Sequence, residues 1–382
     1  MAEPRLGAML ARPAGGGPAP DDASGGGGAV LSIGLSAVIV AATVQEPRVL
    51  TIKLPGGKPP AEGSPFDAAL AGIEALPSGP LEAEHRTLEI GLRSWVERQT
   101  SQHLGYAEQL YTFGDRDRSA GDDARALPAL IVAYLALVRE ARPAGAADAE
   151  WHSWYRYFPW EDWRDGRPAL LDPIEAALAR WARNAGGAAE RRLREERVGL
   201  AFGLAFAPSG TAWNEELALE RYELLYEAGL VSEAGRDLGR PIAAPAGVAA
   251  KGLTPDGLVP DDLVPDGLMT GAEMAVDHRR ILATAIGRLR GKIKYRPVVF
   301  ELMPPVFTLL QLQRTVEALA GVRLHKQNFR RLVEQQGLVE ETGEISARTG
   351  GRPARLVRFR REVLLERPAP GLRLRPAAGW RR

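Results

Sequence analysis

Five residues crowded into the last third of the chain, Lys326, Gln327, Asn328, Arg330 and Arg331, carry the chemistry of nucleic-acid recognition. Arginine and lysine pair with guanine edges, and glutamine and asparagine with adenine edges. Downstream, Arg348, Arg352, Arg355 and Arg358 recur along a turn-rich stretch, where guanidinium groups either reach phosphates or a narrow minor groove, or simply decorate a solvated hairpin tip. Residues 277–382 hold 23 Lys+Arg against 9 Asp+Glu, net +14. The rest of the chain keeps 26 against 39, net −13, so the formal total of +1 is a cancellation. A basic end on an acidic body suits a protein that meets phosphates with one end, because each cation near a phosphate releases a condensed counterion.

Other chemistry is bounded by composition. The chain of 382 residues contains no cysteine, which removes disulfides, thiolate metal sites and cysteine nucleophiles and is compatible with a reducing cytoplasm. An aromatic cluster, Trp151, Trp154, Tyr155, Tyr157, Phe158, Trp160 and Trp163, reads either as core or as a surface on which a base could stack. Arg93 and Glu97 stand four apart, the spacing of a helix-face ion pair.

The elements that must position these residues follow from periodicity and punctuation. Residues 1–28 read as a disordered leader without the apolar core of a signal peptide. The apolar run from Ala29 to Val44 is too short to span a bilayer, and its valines and isoleucines favour a buried strand. It is parted from a second strand, Arg48 to Leu54, by Gln45-Glu46-Pro47, which suits a hairpin. A Gly/Pro-rich loop, Pro55 to Pro80, leads to a helix over 86–100 with Leu88, Leu92, Trp95 and Val96 on one side. Strands over 106–113 and 129–139 flank a polar loop, 114–125, and helices follow at 172–184, 187–200 and 213–228. Three Pro-Asp pentapeptides, Thr254 to Leu268, forbid helix and read as a linker.

A helix over 277–292 then opens the basic segment. Thr308 and Gln311 have capping-box spacing for a helix stopped at Gly321. A second helix, His325 to Gln336, points Phe329, Leu332 and Val333 inward and leaves the polar five free to face outward. Two strands around a basic tip, Gly350-Gly351-Arg352-Pro353, complete the order of a winged helix.

The stretch from Asp277 to Phe359, with LHKQNFRRLVEQQGLVEETGEISARTGGRPARLVRF at its end, resembles the DNA-binding region of Nudix-related bacterial regulators of NAD metabolism, the NrtR type. HRTLEIGLRSWVERQT and LGYAEQLYTFGD resemble the Nudix portion of the same proteins, and the added middle section makes the chain look most like the NadQ branch. The resemblance covers roughly residues 30–362 and implies an α+β chain: a Nudix-like α/β/α sandwich plus a C-terminal winged helix-turn-helix. Laid on this chain, the Nudix glycine falls on Gly79, the first acid on His85, the Arg-Glu pair on Arg93-Ser94 and the Glu-Glu pair on Glu97-Arg98, with no glycine at Thr100. One carboxylate of the magnesium-binding set survives, so the resemblance implies neither a catalytic site nor a metal site. It implies instead a ligand sensor for NAD, ADP-ribose or ATP, held by Arg93, Glu97, Phe113, Asp115 and Arg116, with no catalytic cofactor.

The expected organisation is a leader (1–28), a Nudix-like sensor (29–145), an aromatic-rich helical middle section (146–250), a linker (251–272), a winged helix (273–366) and a basic tail (367–382). The expected protein is a cytoplasmic, homodimeric repressor without membrane association. It binds double-stranded operator DNA through Lys326, Gln327, Asn328, Arg330, Arg331, Arg348, Arg352 and Arg355, with affinity set by the nucleotide. An active pyrophosphatase with an appended nucleic-acid-binding domain and a binder indifferent to sequence are the competing readings.

Overall fold

The computed structural model describes residues 33–54, 72–114, 130–139, 149–203, 213–237, 268, 270–346, 353–366 and 371–372. Expectations for the leader, the 115–125 loop, the pentapeptide repeats up to 267, the tip at 347–352 and nearly all of the tail lie outside those residues.

The first strands form the expected hairpin. β1 (Ile33–Ala42) and β2 (Pro47–Lys53) pair antiparallel, with Ala42 opposite Pro47. The Thr43 hydroxyl closes the turn, accepting from the amides of Gln45 (3.1 Å) and Glu46 (3.0 Å). Within the stretch read as loop, the short strands β3 (Glu74–Ala75) and β4 (Ser78–Pro80) pair with β2 and β1. α1 (Leu88–Thr100) follows, capped by the Thr87 side chain, which accepts from the Ile90 amide at 3.2 Å. β5 (Tyr106–Gly114), β6 (Leu130–Leu137) and β7 (Ala149–Ser153) complete a mixed sheet of order β3-β2-β1-β6-β5, with β4 added to β1 and β7 to β2. β1 runs parallel to β6 and is buried along nearly its whole length, as a strand covered on both faces must be.

The two faces are covered from different parts of the chain. Leu92 and Val96 of α1 pack on Leu35, Ala37, Ile39, Leu50, Val132 and Ala136. The opposite face, with Val38, Val40, Val49, Leu135 and Leu137, joins a continuous apolar cluster that runs through the middle section into the basic segment. That section contributes 3-10 turns at Trp154–Arg156 and Pro159–Glu161, then α2 (Leu171–Arg183), α3 (Ala188–Phe202), α4 (Ala218–Glu227) and α5 (Ser232–Asp237). α6 (His278–Tyr295) contacts both β1 and β5. The sandwich is therefore α/β/α, but its second helical layer comes from the C-terminal half of the chain.

The winged helix has the expected parts: β8 (Phe307–Thr308), α7 (Leu309–Ala320), α8 (Lys326–Gln336), β9 (Val339–Ser346) and β10 (Ala354–Phe359), followed by the short α9 (Val363–Glu366). β10 lies between β8 and β9 in a three-stranded antiparallel sheet. Packing is continuous across the boundary placed near residue 145, and helices of the middle section share the cluster with the winged helix. The aromatic cluster is core: Trp154, Tyr157, Phe158 and Trp160 are fully buried and Tyr155 nearly so.

Candidate nucleic-acid interface and sensor face

The helix-turn-helix is built from local signals that close on themselves. Thr308 and Gln311 form a reciprocal capping box: the Thr308 hydroxyl accepts from the Gln311 amide at 3.2 Å, and the Gln311 side chain accepts from the Thr308 amide at 2.7 Å. α7 ends on Gly321 (φ 73°) and α8 on Gly337 (φ 55°), both left-handed. Between the helices, Glu317 is 2% exposed and holds the turn from inside. Its carboxylate accepts from the Leu324 amide (3.0 Å), Gln313 Nε2 (2.8 Å) and the guanidiniums of Arg314 (3.1 Å) and Arg323 (3.2 Å). Sequence reasoning missed Glu317, although a lone acid on the apolar side of a helix is the signal that would have found it.

α8 buries Phe329 and Val333 and half-buries Leu332, while Lys326, Gln327, Asn328, Arg330 and Arg331 are all exposed. Lys326 and Arg330 have no hydrogen-bond or ion-pair partner among the described residues, and Arg331 reaches only Asn328 Oδ1 at 3.4 Å. No side chain caps the first turn of α8, so its amides add to the positive end of the helix. In the wing, Arg355 pairs with Glu341 at 2.7 Å and Arg358 with Glu340 at 2.5 Å across the hairpin. The hydrogen bond that Arg355 donates to Glu341 raises the Arg355 pKa. Arg348 and Arg352 lie outside the described residues.

Of the residues expected to hold a nucleotide, the structure describes Arg93, Glu97 and Phe113, which do not lie on one face of the sheet. Arg93 forks onto Glu89 (2.8 and 3.0 Å) and donates to the carbonyls of Leu104 and Gly105, fastening the loop after α1. Glu97 lies 3.5 Å from His103. Phe113 is on the other face of the sheet. β5 has a bulge at Leu110, so Gln109 opposes Tyr134 but Tyr111 opposes Ala133 and Phe113 opposes Ile131. The extra residue turns Tyr111 and Phe113 away from α1, because a one-residue slip in a strand exchanges its faces. Asp115 and Arg116 are outside the described residues.

Nor do the residues at the Nudix metal positions fit magnesium. The His85 side chain is 6% exposed, its Nδ1 accepting from the Glu82 amide at 3.1 Å and its Nε2 lying 3.4 Å from Glu82 Oε2. Arg98 stacks 3.9 Å over the Trp95 ring and pairs with Glu82 at 3.1 Å. Gly79 sits under that ring, where a Cβ would come within 2.1 Å of it. Among the described residues no group of three His, Asp or Glu side chains is arranged to hold a metal ion, and no helix is long and apolar enough to cross a membrane. A pocket of about 330 Å³ opens elsewhere, between the wing and the end of β6, lined in part by Arg139, Phe300, Arg358 and Phe359.

A family model described as the NrtR DNA-binding winged helix domain matches residues 299–359. The ADPR responsive transcriptional repressor NtrR of Acinetobacter baylyi is 44% identical over 87 residues, 23% of this chain and 34% of that protein, so the chain spans about a third of that relative's length. Among solved structures, Shewanella oneidensis NrtR complexed with a 27mer DNA is 19% identical, covering 87% of this chain and 94% of that one with a TM-score of 0.46. A MutT/nudix family protein from Enterococcus faecalis is 14% identical over 86% of each chain, with a TM-score of 0.43. The segment from Val299 to Phe359, capped, turned and charged as described above, is thus similar to the NrtR DNA-binding winged helix domain.

Proposed function

We propose that this protein is a transcriptional repressor of NAD metabolism genes whose operator binding responds to ADP-ribose. The observation that carries the reading is the α8 surface: five exposed donor-rich side chains, two of them cations without a partner among the described residues, on a helix that follows a capped α7 across a turn held by a buried glutamate. Such cations need break no ion pair within the fold to turn onto phosphates and base edges. A homodimer would set two such helices on half-sites about 10 bp or a multiple apart. ADP-ribose is favoured over NAD and ATP because the Acinetobacter relative is named for its response to it. His85, Ser94 and Arg98 standing where the Nudix resemblance expects carboxylates support a sensor without hydrolysis.

The test is binding of the full chain to DNA from upstream of NAD biosynthesis genes, against random DNA at about 150 mM salt, with and without ADP-ribose, NAD and ATP. Operator-selective binding shifted by ADP-ribose is expected. Binding without sequence preference would replace the reading with a nonspecific nucleic-acid binder, and metal-dependent release of AMP from ADP-ribose would restore the pyrophosphatase.

A further inference from the structure

The middle section contains a strap, residues 154–165, that lies between the β1–β2 hairpin and the turn preceding α8. Its Tyr157 and Glu161 carbonyls accept from Arg279 and Arg290 of α6, and its contacts with the helix-turn-helix lie where α7 ends. The Trp163 amide donates to the Gly321 carbonyl at 2.8 Å, and the Tyr155 hydroxyl donates to the Ala318 carbonyl at 2.6 Å. Arg323, between the helices, donates from Nε to the Arg164 carbonyl at 3.2 Å and from its other end to Asp165 at 3.2 Å. Gly321 is required there: a Cβ would stand 2.4 Å from the Glu161 carbonyl and 3.0 Å from the Tyr155 hydroxyl.

The strap joins the sheet at two places: Arg156 and the Tyr157 hydroxyl donate to Glu74 of β3, and a single side chain, Arg164, reaches the hairpin turn. Arg164 is 13% exposed, forks onto Asp162 (2.8 and 2.7 Å), lies 5.2 Å from the centre of the Tyr155 ring, and donates to the Gln45 carbonyl at the hairpin turn. Its guanidinium thus holds the hairpin while its own carbonyl holds Arg323.

We infer that Arg164 is a positioning residue that couples the sheet to the reading helix, so that a change in the sheet on ligand binding reaches DNA affinity through the strap. The inference rests on the DNA-binding reading above, and its test separates the two. Arg164→Met keeps the stem over Tyr155 and removes every donor. In the full-length variant the ratio of operator affinities without and with ADP-ribose should fall several-fold toward 1, from a wild-type ratio in the usual allosteric range of about 5–150. A residue with only a structural role would weaken both affinities and leave their ratio intact, and that result overturns the inference. Amide hydrogen exchange supplies the second readout and needs no ligand. Faster exchange is expected at Thr43–Glu46 and at Trp163 and Val322–Leu324, with β6 unchanged; unchanged exchange at either end of the strap overturns the inference. Should the wild-type protein ignore operator DNA or ADP-ribose, the functional reading fails while the exchange result still decides whether Arg164 joins the two turns.

Discussion

Helices α1 and α8 both carry arginines on an exposed face, and they use them in opposite ways. On α1, Arg93 is bound to Glu89 and two carbonyls, and Arg98 is stacked on Trp95 and paired with Glu82. Deeper in the molecule the same accounting holds: Arg221 and Arg290 are fully buried and both close on Glu161, at 2.6 and 2.5 Å. On α8, Lys326 and Arg330 have no such partner among the described residues. Positive charge that is matched inside the fold holds elements together, whereas positive charge left unmatched is available to a polyanion. Net charge alone does not distinguish the two.

The sharpest way to break the comparison is to unmatch the buried cations. Glu161→Ala leaves two guanidiniums without a counter-charge and should cost about 3–5 kcal/mol in denaturant unfolding. A loss no larger than that of an exposed pair would mean that the triad does not organise the core. pH gives the same test a sign. Burial favours the neutral Glu161 carboxyl, but Arg221 and Arg290 outweigh it and hold its pKa below the usual value. The folded state then binds fewer protons than the unfolded state between that depressed value and the ordinary one of about 4.3. Its contribution is therefore complete above the ordinary value and lost as pH falls through the folded one. The stability gap between wild type and Glu161→Gln should narrow on acidification, and a gap independent of pH would count against an ionised Glu161.

Next in size is the unmatched side. Arg330→Ala and Gln327→Ala should each relax specificity at one base position, at about 1–3 kcal/mol of operator affinity, with no loss of thermal stability. Equal losses on operator and random DNA would demote α8 from reader to clamp.

The parts of this design that were legible in the sequence are those set by neighbours along the chain. The capping box, the glycine stops and the Gln45–Pro47 hairpin each depend on residues within a few positions of one another. Glu161 was not legible, since its partners lie 60 and 129 residues away. The same is true of the sheet's second face, covered by a helix that begins at His278. Strands as short as Glu74–Ala75 carry too few residues to alternate visibly. The face on which Phe113 lies was not legible for a subtler reason: the periodicity of β5 is interrupted at Leu110, and a bulge leaves no signature in residue type alone.

Thr308→Ala tests whether the geometry of the helix-turn-helix matters separately from its charge. It removes the acceptor for the Gln311 amide and should cost about 1 kcal/mol of stability, while leaving every cation of α8 in place. Operator affinity falling by more than the stability loss explains would tie reading to the angle of α7. Affinity unchanged would show that the wing and α8 suffice to orient the domain.

The smallest effect is expected where the two regimes meet. Arg355 is exposed on the wing like a DNA-binding cation, yet it is paired with Glu341 like a structural one. Removing an unpaired phosphate contact lowers the salt dependence of binding by about one counterion. Arg355→Ala should lower it by less, because Glu341 already neutralises part of that charge and would itself be left facing the phosphates. Glu341→Ala frees the guanidinium and should steepen the salt dependence. Titrations of operator DNA over a range of salt concentrations measure both slopes. A full unit lost in Arg355→Ala, with no gain in Glu341→Ala, would mean that the pair opens on DNA and that the wing belongs with α8 among the unmatched charges.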